Sequence, residues 1–353
     1  MKWKLGEGLF TLVVLFLSAT AVAGQGKFPL AANAPEGAPG IEVNVSDLGR
    51  VDGPAWGTNA PIPIKGGLSQ TTLVADDNGF VYSLGGGLGM GPDTRINQLW
   101  RYDSGADTWM QLANIPGPGF AAYGAAVQLA GFIYVFGGIV GPPDPIAPTN
   151  AVFIYDIAND AWAPGANMPD VRFGAAVCQV NGRIFIAGGG TSAIENQLWE
   201  YDYVNDVWIT TGLAPMPSGL TTYRIHGVGL NSTNTCYAFA GGFDGILNLA
   251  YNATTNVWSF RAPMPAGVTD PGVVTDGTLI YVTGGPLGPP ARLQIYDPVA
   301  NTWTRGSDLP SSVNNTSAAL AGGFIYNVGG FDGTTSVPFN YSVAIGTGAL
   351  QDR

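Results

Sequence analysis

The feature that most constrains this chain is a short apolar run ending in two glycines, which recurs six times. The runs VYSLGG, IYVFGG, IFIAGG, YAFAGG, IYVTGG and IYNVGG close on Gly85–Gly86, Gly137–Gly138, Gly188–Gly189, Gly241–Gly242, Gly284–Gly285 and Gly329–Gly330. Successive dyads stand 43 to 53 residues apart, the length of a four-stranded unit with loops of variable size. Paired glycines let a strand end bend, or let another backbone pack closely.

A second pattern is locked to the first. After each of the first five dyads come a Tyr and, always seven residues later, a Trp: Tyr102 and Trp109, Tyr155 and Trp162, Tyr201 and Trp208, Tyr251 and Trp258, Tyr296 and Trp303. Turn formers lie between them (SGAD, IAND, YVND, ATTN, PVAN), which predicts a hairpin with a fixed turn. A Pro follows each Trp by seven, at Pro116, Pro169, Pro215, Pro265 and Pro310. The sixth dyad has Tyr341 but no Trp, whereas Trp56, with Pro63 seven residues on, precedes the first dyad. Residues near Trp56 are therefore expected to form the outer strand of the last unit, removing the open seam of a ring.

This pattern resembles the Kelch repeat over roughly residues 51–345, with small departures at Phe185 and Asn252. The resemblance implies an all-β fold: a six-bladed β-propeller of four-stranded antiparallel blades, the last closed by an N-terminal outer strand near Trp56. The repeated Tyr and Trp are large enough to fill the wedge that widens between blades toward the rim, and are read as structural.

The first 23 residues read as a signal peptide. Lys2 and Lys4 give a positive start, Leu9 to Leu17 an apolar run too short to span a bilayer, and Ala21 to Ala23 a small-residue cleavage site. Residues 24–50 read as a flexible Ala/Pro/Gly-rich lead, and 346–353 as a short tail. Export to the periplasm or the cell exterior is the expectation, with no membrane insertion after cleavage. The chain carries 14 basic and 25 acidic residues, and loss of the signal leaves 12 and 24. Such a surface repels phosphate backbones and anionic headgroups, so nucleic acid is excluded as a partner. Acidity also favours solubility, and a monomer is expected.

Cys178 and Cys236 either form a disulfide, which an oxidising compartment permits, or are two inert core thiols. Two cysteines and one histidine cannot assemble a Cys/His metal site, and the Asp-poor FDG loops supply too few carboxylates for calcium. No metal, cofactor or catalytic residue is assigned.

Aligned on the dyads, Arg172 matches Arg224, and two residues on Gly174 matches His226, Tyr123, Asp270, Asn315 and Thr71. In Kelch-like proteins this region opens at the channel mouth. The resemblance thus suggests that Arg172, Arg224, His226, Tyr123 and Asp270 converge there as ligand-binding candidates. Arginine presents a bidentate fork to carboxylate, and His226 can exchange a proton near neutral pH. The competing reading is that the arginines tie down loops between blades. Long Gly/Pro-rich loops after the dyads form a second candidate surface, among them 87–98 and 139–150.

Several enzyme templates fail. The copper-radical galactose oxidases share a Kelch-like propeller but need two histidine ligands, and this chain has one histidine. SGADTW only faintly matches a sialidase box. The leading expectation is a secreted, non-catalytic module that recognises a protein or carbohydrate through loops at one propeller face. The alternatives are a cofactor-free enzyme on a sugar acid, since the layout is similar to sialic-acid mutarotases, and a structural component of an envelope or matrix. Sequons at Asn44, Asn231, Asn252, Asn314, Asn315 and Asn340 matter only in a glycosylating host.

Overall fold

The computed structural model describes residues 53–88, 95–121, 125–141, 147–190, 195–242, 245–285 and 291–345. The segments read as signal peptide, lead and tail, together with Tyr123, lie outside the described residues.

Six four-stranded antiparallel sheets follow one another along the chain. Blade 1 is Thr72–Ala75, Val81–Gly87, Arg95–Asp103 and Thr108–Leu112; blade 2 is Ala126–Leu129, Phe132–Phe136, Val152–Asp156 and Ala161–Gly165. Blade 3 is Ala176–Val180, Arg183–Ala187, Leu198–Asp202 and Val207–Ile209; blade 4 is Ile225–Leu230, Thr235–Ala240, Leu247–Asn252 and Val257–Phe260. Blade 5 is Gly272–Thr275, Ile280–Gly284, Arg292–Asp297 and Thr302–Arg305. Blade 6 has Ser317–Ala321, Phe324–Val328 and Asn340–Ala344, and its fourth strand is Gly57–Thr58, paired with Asn340–Ala344. The first strands of successive blades are neighbours all the way round, from blade 1 to blade 6 and back to blade 1. The chain is therefore a six-bladed β-propeller, closed where the Trp56 spacing places the closure. A small extra sheet joins Gly119–Ala121, Ile139–Gly141 and Ala147–Pro148 beside blade 2.

The apolar core is divided into layers between blades, because successive strand residues point to opposite sheet faces. In blade 3, Val177, Ile184 and Ile186 pack toward blade 2 with Phe136 and Val152. Their sequence neighbours Cys178 and Phe185 pack toward blade 4 with Ala238 and Leu249. Blade 4 comes closest at its glycines. A Cβ on Gly229 would lie 1.9 Å from the carbonyl oxygen of Gln179 in blade 3. Cys178 and Cys236 form a disulfide across this same interface, with Cα atoms 5.9 Å apart.

At the rim, the seven-residue spacing places each Tyr directly opposite its Trp across the outer hairpin. The rings sit 4.9–5.2 Å apart. The same residues rivet neighbouring blades. Trp109, Trp162, Trp208, Trp258 and Trp303 donate Nε1–H to the carbonyls of Ala60, Ala113, Ala166, Ala214 and Ala262 at 2.8–2.9 Å. Those alanines return N–H bonds of 2.6–2.9 Å to Oδ1 of Asp107, Asp160, Asp206, Asn256 and Asn301. The same oxygens also accept the hydroxyl protons of Tyr102, Tyr155, Tyr201, Tyr251 and Tyr296. Each of these Asp or Asn residues holds φ between +48° and +58°, a region that Asp and Asn tolerate better than other side chains. Asn252 departs from the repeat without consequence. Its Oδ1 accepts two turn N–H groups at 2.9–3.0 Å, as Asp103 does at 2.9–3.1 Å.

The seam between blades 5 and 6 carries half of this device. Trp56 donates Nε1–H to the Ser307 carbonyl at 3.0 Å, completing the tryptophan series. Gly57 and Thr58 face Ser342 and Tyr341, so the register places Trp56 opposite Val343. Val343, paired with Ile325, stands where Tyr155, paired with Ile133, stands in blade 2. Tyr341 is thus two residues from the repeat position, and its hydroxyl meets Ser311 Oγ at 3.0 Å.

Candidate functional site

Antiparallel strands fix which loops share a face. A blade's second strand ends at the glycine dyad on the face where the next blade's first strand begins. The dyad loops and the blade-to-blade connections therefore open on one face, and the inner hairpins of all six blades and the outer hairpins of blades 1 to 5 open on the other.

Backbone contacts at that face set the dyads. Gly138 donates its N–H to the Arg172 carbonyl at 2.7 Å, and Gly330 to that of Leu68 at 2.7 Å. Gly137 holds φ +60°, and a Cβ there would lie 2.3 Å from the Arg172 carbonyl oxygen. Blade 4 departs: Ala240, which pairs with Ile225, carries φ +74° in the place that Gly188 fills at φ +63° in blade 3. Its inner hairpin is also longer, turning through the 3-10 segment Asn231–Thr233.

These two differences correct the alignment of the site residues. The residue just before the inner strand has left-handed φ at Gln70, Gly174, Arg224, Asp270 and Asn315. Arg224 is therefore the counterpart of Gly174, Asp270 and Asn315. His226 lies two residues further into blade 4, and Gln70 rather than Thr71 holds the position in blade 1. Arg172 corresponds to Thr222 instead, since their carbonyls accept the N–H of Gly138 and Gly189 respectively.

Three of the sequence candidates come together. Nη2 of Arg224 lies against Oδ2 of Asp270, and Nε2 of His226 is 3.5 Å from Oδ1 of the same carboxylate. Arg224 also donates from Nη2 to Oδ1 of Asn315 at 3.0 Å. Since Arg224 belongs to blade 4 and Asn315 to blade 6, this bond reaches past blade 5, so the side chains converge on the propeller axis. All four are buried: Arg224 is 7 %, His226 5 %, Asp270 2 % and Asn315 2 % exposed. Asn315 stood in the aligned column of the sequence but was not singled out there.

Arg172 does not join this cluster. It is buried with its guanidinium over the Trp199 ring, 4.3 Å from the centroid. It donates to Gln197 Oε1 at 2.5 Å and to the Val171 carbonyl at 3.1 Å, with Asp170 and Glu195 at 3.6 and 3.9 Å. Burial lowers its pKa while the Glu195 and Asp170 carboxylates oppose that shift. Arg172 acts as a tie between loops. Among the described residues, no three His, Cys, Asp or Glu side chains are grouped to hold a metal.

Exposed apolar side chains are mostly elsewhere. Val204 and Val299, 74 % and 89 % exposed, sit at hairpin tips on the opposite face, and Val207, Ile209, Val257 and Phe260 lie along the outer strands of blades 3 and 4. Ile246 is exposed beside the dyad loop of blade 4.

Comparison with known proteins agrees with this architecture. The Kelch motif matches residues 121–169, 172–211 and 268–310. Kelch-like protein 23 from Pongo abelii is 28% identical over 194 residues, covering 54% of this chain and 32% of the relative. The F-box/kelch-repeat protein SKIP30 from Arabidopsis thaliana is 32% identical over 121 residues, covering 31% and 34%. Kelch-like protein 36 from Bos taurus is 24% identical over 244 residues, covering 65% and 37%. The aligned region thus spans about a third of the length of these relatives. A solved structure titled "Structure of YjhT" superposes with a TM-score of 0.63 at 17% identity, covering 81% of this chain and 96% of its own.

Proposed function

The chain belongs to the Kelch-repeat β-propeller family, and on that premise we propose that it is an exported, non-catalytic module that recognises a protein partner through the dyad-loop face. A Kelch propeller is a protein-interaction scaffold, and one observation here carries the choice of face. The dyad loops and the blade-to-blade connections open together, while the rim clamps and dyad contacts hold their ends in fixed register. Variable loops on a rigid ring are the usual carriers of recognition. The Cys178–Cys236 disulfide supports folding in an oxidising compartment, as the signal-like start suggests. A sugar acid would call on the guanidinium groups of Arg172 and Arg224, and each is already engaged by carboxylates and amides of the chain.

The test is site-specific photo-cross-linking. Cross-linkers at exposed Lys65, Asp170, Ser218 and Thr334 report the dyad-loop face, and those at exposed Asn159, Asn181, Val204 and Asn231 the hairpin face. With the native secretome as prey, one partner should be trapped repeatedly from the first set only. Equal trapping from both sets, or from the second alone, would overturn the choice of face.

A further inference from the structure

Buried polar groups in folded proteins almost always find hydrogen-bond partners. On the propeller axis this rule is broken three times in one place. Neither Oδ1 nor Oδ2 of Asp270 accepts a hydrogen bond among the described residues, and Nε2 of His226 makes none. Arg224 is in ion-pair contact with Oδ2 of Asp270, and the 3.5 Å from His226 to Asp270 is too long for a good bond. Elsewhere, unbonded buried side-chain atoms such as Asn248 Oδ1 and Asn314 Oδ1 come one to a residue, whereas Asp270 leaves both of its carboxylate oxygens without a hydrogen bond. The backbone at Arg224, Asp270 and Asn315 is held at φ +58°, +44° and +47°, a conformation that collects at ligand clamps as well as in turns.

We propose that Arg224, His226, Asp270 and Asn315 form an axial binding site for a neutral polyol, a sugar or sugar alcohol with adjacent hydroxyls. The choice follows from charge and from hydrogen-bond inventory. Arg224 and Asp270 cancel, so an anionic ligand would meet the carboxylate and a cationic one the guanidinium, and neither gains. Among the described residues the two carboxylate oxygens, ion-paired to Arg224, accept no hydrogen bond, and one imidazole nitrogen has no hydrogen-bond partner. Vicinal hydroxyls supply the two donors, and a third hydroxyl can donate to or accept from Nε2 in either tautomer. A hydroxyl also desolvates far more cheaply than a charged group. The site is separate from the recognition of a protein by the surrounding loops and stands or falls without it.

The chain holds a single histidine, which makes His226 its own reporter. The imidazole 15N signals are followed while D-glucose, D-galactose or myo-inositol is added, with D-glucuronate as the charged comparison. At least one neutral polyol should move the Nε2 resonance saturably, with glucuronate weaker by about tenfold or more. His226→Leu should weaken that polyol by about tenfold, as expected for loss of one hydrogen bond in a buried site, when binding is read by calorimetry. Asp270→Asn, checked by near-ultraviolet circular dichroism for an intact fold, should weaken it further. Should none of the three neutral polyols perturb His226, the proposal fails. It fails equally if glucuronate binds more tightly than glucose, or if His226→Leu binds as the native protein does.

Discussion

Replacing Asp160 tests the rim clamp at a position where the chain supplies its own control. Oδ1 of Asp160 accepts the Tyr155 hydroxyl at 2.7 Å and the Ala113 N–H at 2.8 Å, tying blade 2 to the end of blade 1. In blades 4 and 5 the equivalent residues are Asn256 and Asn301, and the amide oxygen makes the same pair of bonds. The required feature is therefore an acceptor at left-handed φ, and not a charge. Asp160→Asn should cost less than about 0.5 kcal/mol. Asp160→Ala removes both bonds and places alanine at φ +48°. The buried Tyr155 hydroxyl then costs roughly 1–2 kcal/mol. The Ala113 N–H, which water can reach, adds about 0.5 kcal/mol, and the backbone strain up to about 1 kcal/mol. The expected total is about 2–3 kcal/mol, or a fall in Tm of about 4–10 °C for a domain of this size. Calorimetry on the two variants decides the matter. If Asp160→Ala and Asp160→Asn unfold at the same temperature, the clamp contributes nothing and the reasoning is refuted.

Further expectations follow from the same structure. Reducing the Cys178–Cys236 bond, which closes a loop of 58 residues, should lower stability by up to about 4 kcal/mol in the chain-entropy limit; an unchanged denaturant midpoint after reduction would contradict a bonded interface. Gly229→Ala forces a Cβ against the Gln179 carbonyl and should cost about 1–3 kcal/mol by urea unfolding, whereas Gly182→Ala, with open space around it, should cost only the strain of its φ of +77°. Burial first, and then bonds to Asp107, Asp160 and Asp206, raise the pKa of Tyr102, Tyr155 and Tyr201. A raised folded pKa leaves stability intact below the unfolded value near 10 and removes it above that pH. Ultraviolet titration should accordingly show these phenols ionising only together with alkaline unfolding; reversible ionisation near pH 10 in folded protein would contradict their burial.

What the sequence made legible was local. Tyr and Trp seven apart are two facing residues of one hairpin, so spacing alone revealed their pairing. The closure by Trp56 was legible because a missing repeat element had to come from somewhere. Nonlocal partners were harder to see. The Ala that receives each Trp N–H lies in the preceding blade, and its only sequence trace is an Ala four residues after Trp56, Trp109, Trp162 and Trp258. Blade 4 misled the alignment because Ala240 carries the backbone role of a dyad glycine and the inner hairpin is longer, which shifted Arg224 and His226 relative to Gly174. Blade 6 hid a second slip, Val343 rather than Tyr341 standing opposite Trp56. The axial cluster was half visible. Arg224, His226 and Asp270 were named, and the family resemblance implied that they converge, but Asn315 was passed over, since its bond to Arg224 depends on blades 4 and 6 meeting past blade 5, which no local pattern encodes.

The closure itself can be tested by one cross-link. Gly57 and Ser342 face each other in the sixth blade, and a Cβ on Gly57 would lie 3.7 Å from the Ser342 hydroxyl oxygen. The double variant Gly57→Cys, Ser342→Cys should oxidise to an intramolecular disulfide, seen as a linked peptide by mass spectrometry, and should unfold at a higher temperature than its reduced form. Failure to cross-link, or cross-linking only between molecules, would mean that the N-terminal strand does not complete the ring.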